Sequence, residues 1–195
     1  MLDSIRHIDQ SLFLFLNGLH SPFCDGVMYW LTNGWVWLPL YFLFFYPVAK
    51  EYKWQTWIIL VLVASMFLAS DQMATLVKDL VQRLRPSNDP SLPPVHIVNG
   101  YRGGSFGFYS GHATNTFSVA VFLIFFIGKK YRFVIIPALL WALTMSYTRI
   151  YLGVHYPGDI LVGAIAGSVL GFFSAKFCRK IMGIMMGTSQ KRSNH

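Results

Sequence analysis

Five stretches of the chain, residues 26–49, 54–70, 113–128, 133–148 and 160–175, contain no Asp, Glu, Lys or Arg. With their flanks, each approaches the roughly 20 residues that a helix needs to cross a bilayer. Hydrocarbon offers no partner to a free N–H or C=O, so such segments must close their hydrogen bonds internally as helices. Composition supports the same conclusion: only 12% of the 195 residues are charged, about half the usual fraction for a soluble domain. The expectation is an all-α, polytopic transmembrane helical bundle of about five spans.

The first 23 residues follow another pattern. Ile5, Ile8, Leu12, Leu14 and Phe15 are interleaved with Asp3, Arg6, His7, Asp9 and Gln10. Near-helical spacing of this kind suits an amphipathic helix lying in the membrane interface. The segment has neither the basic start nor the small-residue cleavage site of a signal peptide. Residues 1–23 are therefore read as an N-terminal interfacial helix, residues 86–111 as an outer substrate loop, and residues 183–195 as a cytoplasmic tail of a single membrane domain, 1–195.

Spans alternate in direction, so the 50–53 and 129–132 connections and the C-terminal segment share one face. That face collects Lys50, Lys53, Lys129, Lys130, Arg132, Lys176, Arg179, Lys180, Lys191 and Arg192, ten of the 16 basic residues. The positive-inside rule makes it cytoplasmic. The long loop and the 148–159 turn then face outward, together with the N-terminal helix. Cys24 and Cys178 fall near opposite faces, which argues against a disulfide, and no metal-ligand spacing of Cys and His is present.

Five of the remaining basic residues lie at or near outer span ends. Lys78 and Arg85 are seven apart; if the second span continues to Leu84, they share a helix face, and Pro86 stops the helix. At a helix end such residues serve either as snorkelling anchors or as anion ligands. Ser110-Gly111-His112 opens the third span. It reads equally as a plain cap or as an anion site built on free N–H groups and the positive end of the helix dipole. In the third cluster, Arg149-x3-Gly153-x-His155-x3-Asp159, Pro157 suits the first helical position of the last span. Asp159 in that first turn can then reach back to His155, either as a structural pair or to orient an imidazole for attack.

Together these three segments resemble the three-part signature of the type 2 phosphatidic acid phosphatase superfamily. The match comprises a Lys, six residues and Arg-Pro from Lys78 to Pro86, then Ser110-Gly111-His112, then the Arg149 to Asp159 cluster. Tyr109 stands where the family usually has Pro, and Thr148 where it often has Ser. The resemblance implies that His155 is the nucleophile and forms a phosphohistidine. It implies that Asp159 orients His155 and that His112 protonates the leaving oxygen. Lys78, Arg85, Arg149, Ser110 and the Gly111 amide would hold the phosphoryl oxygens.

The implied enzyme is a metal-independent phosphoric ester or anhydride hydrolase without a cofactor. Its partners are the bilayer and a lipid-linked phosphate, not nucleic acid. Compact bacterial members of the resembling family act on undecaprenyl pyrophosphate, lipid A phosphates, or phosphatidylglycerophosphate and phosphatidate. Small size and an outward site favour the first two, at the periplasmic face of a bacterial inner membrane. Transfer to a second lipid, or phosphate binding without turnover, are the competing readings. Binding alone needs only the basic residues, so His112, His155 and Asp159 point to turnover.

Other features are expected to be structural. Asp71, inside the second span, reads as an acid facing the bundle interior, in a structural hydrogen bond more than in a direct catalytic part. Gly163, Gly167 and Gly171 recur every fourth residue and permit close helix approach, within the bundle or in a dimer. Trp54 and Trp57 read as an interfacial belt. His7, His20 and His96 stand alone in the sequence. The loop 87–108, with Arg102, Asp89 and several aromatics, is where substrate choice is expected to reside.

Overall fold

A computed structural model describes the backbone of residues 2–193 and the side chains of residues 3–185. Among the described residues seven α-helices follow one another: α1 Leu2–Asn17, α2 Pro22–Leu31, α3 Leu38–Tyr52, α4 Thr56–Val81, α5 Gly111–Phe126, α6 Ile135–Tyr151 and α7 Pro157–Ser193. Among the described residues there is no strand, only an isolated bridge between Leu84 and Phe106. Helices α3 to α7 correspond to the five apolar runs. Segments 34–81, which includes both α3 and α4, 132–151 and 157–185 are long and apolar enough to cross a membrane, and α5 is a shorter apolar helix.

The first run does not form one continuous helix. The Asn33 side chain accepts from the Trp35 N–H, and the chain breaks around Gly34 between α2 and a short 3₁₀ turn. Capped by Ser21 at its start, α2 lies against the end of α6, where Cys24 and Met28 pack on Val98, Tyr151, Leu152 and Val154. Cys178 instead belongs to the core at the far end. Both cysteines are free.

The close packing of α5 against α7 explains the glycine repeat. A Cβ on Gly163 would come within 2.6 Å of the Ser110 carbonyl oxygen, and Cβ atoms on Gly167 and Gly171 would overlap the carbonyls of Thr114 and Ser118. Small residues every fourth position thus allow backbone to meet backbone. The opposite face of α7 carries exposed Leu161, Ile165, Val169, Phe173 and Phe177. Apolar surface on that scale would be a liability in water and suits lipid.

At one end, Glu51 pairs with Lys130 and accepts from the Tyr131 hydroxyl, and Tyr52 stacks on Phe126. The α3–α4 and α5–α6 connections therefore share that end, as the alternation of spans requires. Lys191, Arg192 and most of the 183–195 tail lie outside the residues whose side chains are described.

Helix α1 lies at the other end. Ile5, Ile8, Leu12 and Phe15 are exposed on one stripe, while Phe13 and Asn17 are buried against the protein. The Asn17 amide donates to the carbonyls of His96, Ile150 and Tyr151 and accepts from the His96 N–H. One polar side chain thereby ties α1 to the long loop and to the end of α6.

Candidate active site

The expected helical continuation to Leu84 does not occur. α4 stops at Val81 and Gln82 takes a left-handed conformation. Proline at 86 disfavours helix at Arg85, which is extended. The chain pairs across instead, Arg85 N–H donating to the Ser105 carbonyl and Gly107 N–H to that of Arg83. Lys78 and Arg85 still line one cavity, but by the fold of the loop and not by helical periodicity.

Residues two apart in an extended segment point to the same side, and Arg83 and Arg85 both reach the His155–Asp159 pair. Arg85 Nη1 lies 3.3 Å from His155 Nε2 and donates to the Val154 carbonyl at 3.3 Å. Two glycines make room for its side chain. A Cβ on Gly103 would stand 2.9 Å from Arg85 Nη1, and one on Gly107 would stand 3.2 Å from Arg85 Cγ and 3.3 Å from Asp159 Oδ2. Gly103 has φ +67, which favours glycine on conformational grounds as well.

His155 sits in the turn between α6 and α7, outside the spanning helices, and is 2% exposed. Its Nδ1 faces Asp159 Oδ2 at 3.5 Å, beyond hydrogen-bond length. Burial pushes the imidazole pKa down to about 4; the facing Asp159 opposes the shift and Arg85 adds to it. The ring is therefore neutral at pH 7. Asp159, fully buried, accepts from the Tyr156 N–H at 3.0 Å and from Arg83 Nη1 at 2.8 Å. Arg83 also bonds Asp9 Oδ2 at 2.7 Å and lies over the Tyr156 ring. Asp9 Oδ1 in turn accepts the Gly158 N–H.

Arg149 is 1% exposed. Its guanidinium approaches His112 Nε2 at 3.4 Å and donates to the hydroxyls of Thr148 and Thr32. The hydroxyl at position 148 is thus put to use, and Thr32 reaches in from the end of α2. Ser110 caps α5, its Oγ accepting from Ala113 N–H, while its own N–H goes to the Asp159 carbonyl. Gly111 brings the start of α5 close to Lys78, whose Nζ would lie 3.8 Å from a Cβ there. Asp71 accepts from the Asn115 amide at 2.9 Å, but it is exposed and lines the same cavity as Lys78 instead of lying buried in the bundle.

Lys78, Arg85, Gly111, His112, Arg149 and His155 line one cavity of about 710 Å³, whereas Ser110 and Asp159 stand behind its wall. Away from the cations, the cavity is lined by Phe67, Val63 and Ile59 of α4, Val119 and Phe122 of α5, and Phe44 and Val48 of α3. The 19 helical steps from Ile59 to Lys78 rise about 28 Å, close to a hydrocarbon thickness.

Several participants escaped the sequence reading: Arg83, Asp9, Thr32, Gly103 and Gly107. Spacing from Arg85 could have signalled Arg83 once the segment was known to be extended. Asp89 and Arg102 turn out to secure the loop, Asp89 accepting from the Tyr156 hydroxyl and Arg102 donating to the Ser87 carbonyl. His20 and His96 do not stand alone: their rings stack at 3.7 Å.

A cationic pocket opening into an apolar cavity among membrane-length helices marks a membrane protein with the chemistry to take a phosphorylated lipid. The family model described as PAP2 superfamily matches residues 54–182, and the chain belongs to that superfamily, as its motifs implied. It is 44% identical to the lipid A 4'-phosphatase of Bacteroides thetaiotaomicron, over 88% of this chain and 77% of that protein. Identity to the lipid A 4'-phosphatase of Porphyromonas gingivalis is 35%, over 90% and 75%. The crystal structure of the PAP2 type phosphatidylglycerolphosphate phosphatase from Bacillus subtilis superposes with a TM-score of 0.68 at 26% identity, covering 91% of this chain and 88% of that one. Aquifex aeolicus LpxE gives 0.64 at 25% identity, covering 85% and 93%. The chain is thus a multi-pass membrane lipid phosphatase.

Proposed function

We propose that this phosphatase removes a phosphate from a lipid A-type glycolipid at the outer face of a bacterial inner membrane, through a phosphohistidine and without a metal in the reaction. The observation that carries the chemistry is the buried His155, with its Nε2 beside the Arg85 guanidinium and its Nδ1 facing Asp159. His155 Nε2 attacks phosphorus, a P–N bond forms, and the P–O bond to the lipid breaks. His112, protonated once the bound phosphate offsets the charge of Arg149 beside it, gives that proton to the departing oxygen. A water, deprotonated by the same His112, then attacks phosphorus; the P–N bond breaks and inorganic phosphate leaves.

Phosphoryl transfer requires in-line positioning and neutralisation of the equatorial oxygens. Lys78, Arg85 and Arg149, with the Gly111 amide, supply that charge, and Ser110 holds the start of α5 in place. A guanidinium only donates, so Arg85 beside Nε2 favours the tautomer that leaves Nε2 unprotonated, and the Asp159 carboxylate facing Nδ1 favours the proton there. The Lys and Arg gathered at the opposite end support the outward site. Similarity to two lipid A 4'-phosphatases over most of the chain favours that substrate over undecaprenyl pyrophosphate.

The deciding experiment is a substrate panel in detergent with EDTA present, comparing lipid A, undecaprenyl pyrophosphate and phosphatidylglycerophosphate. Lipid A should release inorganic phosphate with the highest kcat/KM, and acid-labile, alkali-stable phosphate should accumulate on His155 when turnover is quenched. A higher kcat/KM for another lipid rejects the substrate assignment. Full turnover by His155→Ala rejects the mechanism.

A further inference from the structure

Three side chains from two distant segments converge beside the active-site turn: His20 from the α1–α2 link and Asp25 from α2, and His96 from the long loop. Their ligand atoms lie within 4.8 Å of one another. His96 Nε2 is 2.8 Å from Asp25 Oδ1, and the His20 and His96 rings stack at 3.7 Å. None of the three takes part in the phosphate chemistry above.

We infer that His20, Asp25 and His96 form a binding site for a divalent transition metal ion, zinc by its donor set. Two imidazoles and a carboxylate, with one position left for water, are a common three-residue zinc set. Nitrogen donors select such ions over magnesium and calcium, which prefer all-oxygen sites. Zinc–nitrogen bonds of 2.0–2.1 Å place tetrahedral ligand atoms about 3.3 Å apart. The His96–Asp25 pair need open by only about half an ångström from its present separation to reach that value. Exposed His20, on the short link between helices, turns about its own side-chain bonds to bring its nitrogen in.

Groups behind the ligands hold two of them in position. The Tyr151 hydroxyl donates to Asp25 Oδ1 at 2.6 Å, the kind of outer partner that orients a metal-binding carboxylate. Buried Asn17 grips both the N–H and the carbonyl of His96. An ion here joins the α1–α2 link, α2 and the long loop. The loop in turn rests on the nucleophile's turn, because a Cβ on Gly153 would meet the His96 carbonyl oxygen at 2.9 Å. The site is a clamp for the outer layer, separate from the phosphate pocket and independent of the reaction assigned to it.

The test uses untagged full-length protein in detergent, stripped with EDTA, dialysed, and titrated with zinc chloride against a fluorescent zinc indicator. One zinc per chain should bind, with a rise in melting temperature. His20→Ala, Asp25→Asn and the double variant His20→Ala/His96→Ala should lose the stoichiometric site and the thermal shift. Melting of each variant in EDTA reports its fold, and the exposed His20→Ala keeps the test informative where a more buried change disturbs folding. No stoichiometric uptake by the wild type, unchanged uptake by His20→Ala, or an equal response to calcium would each overturn the proposal.

Discussion

Arg83 and Asp159 form a 2.8 Å ion pair on the side of the carboxylate away from His155, joining Asp159 Oδ1 to a guanidinium that also grips Asp9 of the N-terminal helix. The buried carboxylate is thereby held on both oxygens, one by Arg83 and the other by the Tyr156 N–H, before it faces His155. An N-terminal segment outside the motif signature is coupled in this way to the His–Asp pair.

Replacing Arg83 with Ala should lower kcat about 10–100-fold, the range seen when an outer partner that orients a metal ligand is removed, with KM changed much less. Asp9→Asn should produce a smaller loss in the same direction. Steady-state kinetics on one lipid substrate checks both; a change confined to KM would mean that Arg83 contacts substrate instead.

The His155 imidazole should titrate near pH 4 in the free enzyme, well below the ordinary value of about 6.5, because burial disfavours its charged form. The unfolded chain binds this proton below about 6.5 and the folded chain only below about 4. The stabilising contribution is therefore complete above 6.5 and is lost as pH falls from 6.5 towards 4. Carbon-13 histidine spectra, with the signal assigned by its absence in His155→Asn, measure the midpoint directly. A midpoint at 6.5 or higher contradicts the desolvated ring.

On α7, Gly167→Ala should destabilise the fold by about 1–3 kcal/mol through overpacking, since its Cβ would overlap the Thr114 carbonyl. Gly183→Ala on the same helix has open space and should be neutral or mildly stabilising, because alanine is the better helix former. Melting temperatures in one detergent compare the two; equal values would show that α5 and α7 are not in backbone contact.

Narrowing the apolar part of the cavity should separate chain binding from chemistry. Val119→Trp fills space along α5 between the cations and Phe122. It should reduce kcat/KM for a long-chain lipid phosphate and leave a short-chain soluble phosphate nearly unaffected. Equal losses on both substrates would place the lipid chain elsewhere.

The charge-free runs by themselves determined an all-helical membrane bundle, because hydrocarbon leaves the backbone no alternative to internal hydrogen bonding. Residue type and spacing in the three motifs also singled out Lys78, Arg85, His112, Arg149 and His155, which meet in one cavity. Glycine periodicity on α7 determined that a close contact exists, but either a neighbouring helix or a second copy would satisfy it; only the packed structure chose α5. The left-handed exit at Gln82 was invisible because it depends on pairing between residues 83–85 and 105–107, more than twenty positions away. Arg83 on Asp159, Asp9 on Gly158, Thr32 on Arg149 and the His20–Asp25–His96 cluster were decided by tertiary structure alone. Each joins segments that no local propensity connects, and a side chain that looks solitary in sequence acquires its partner only when burial brings distant segments together.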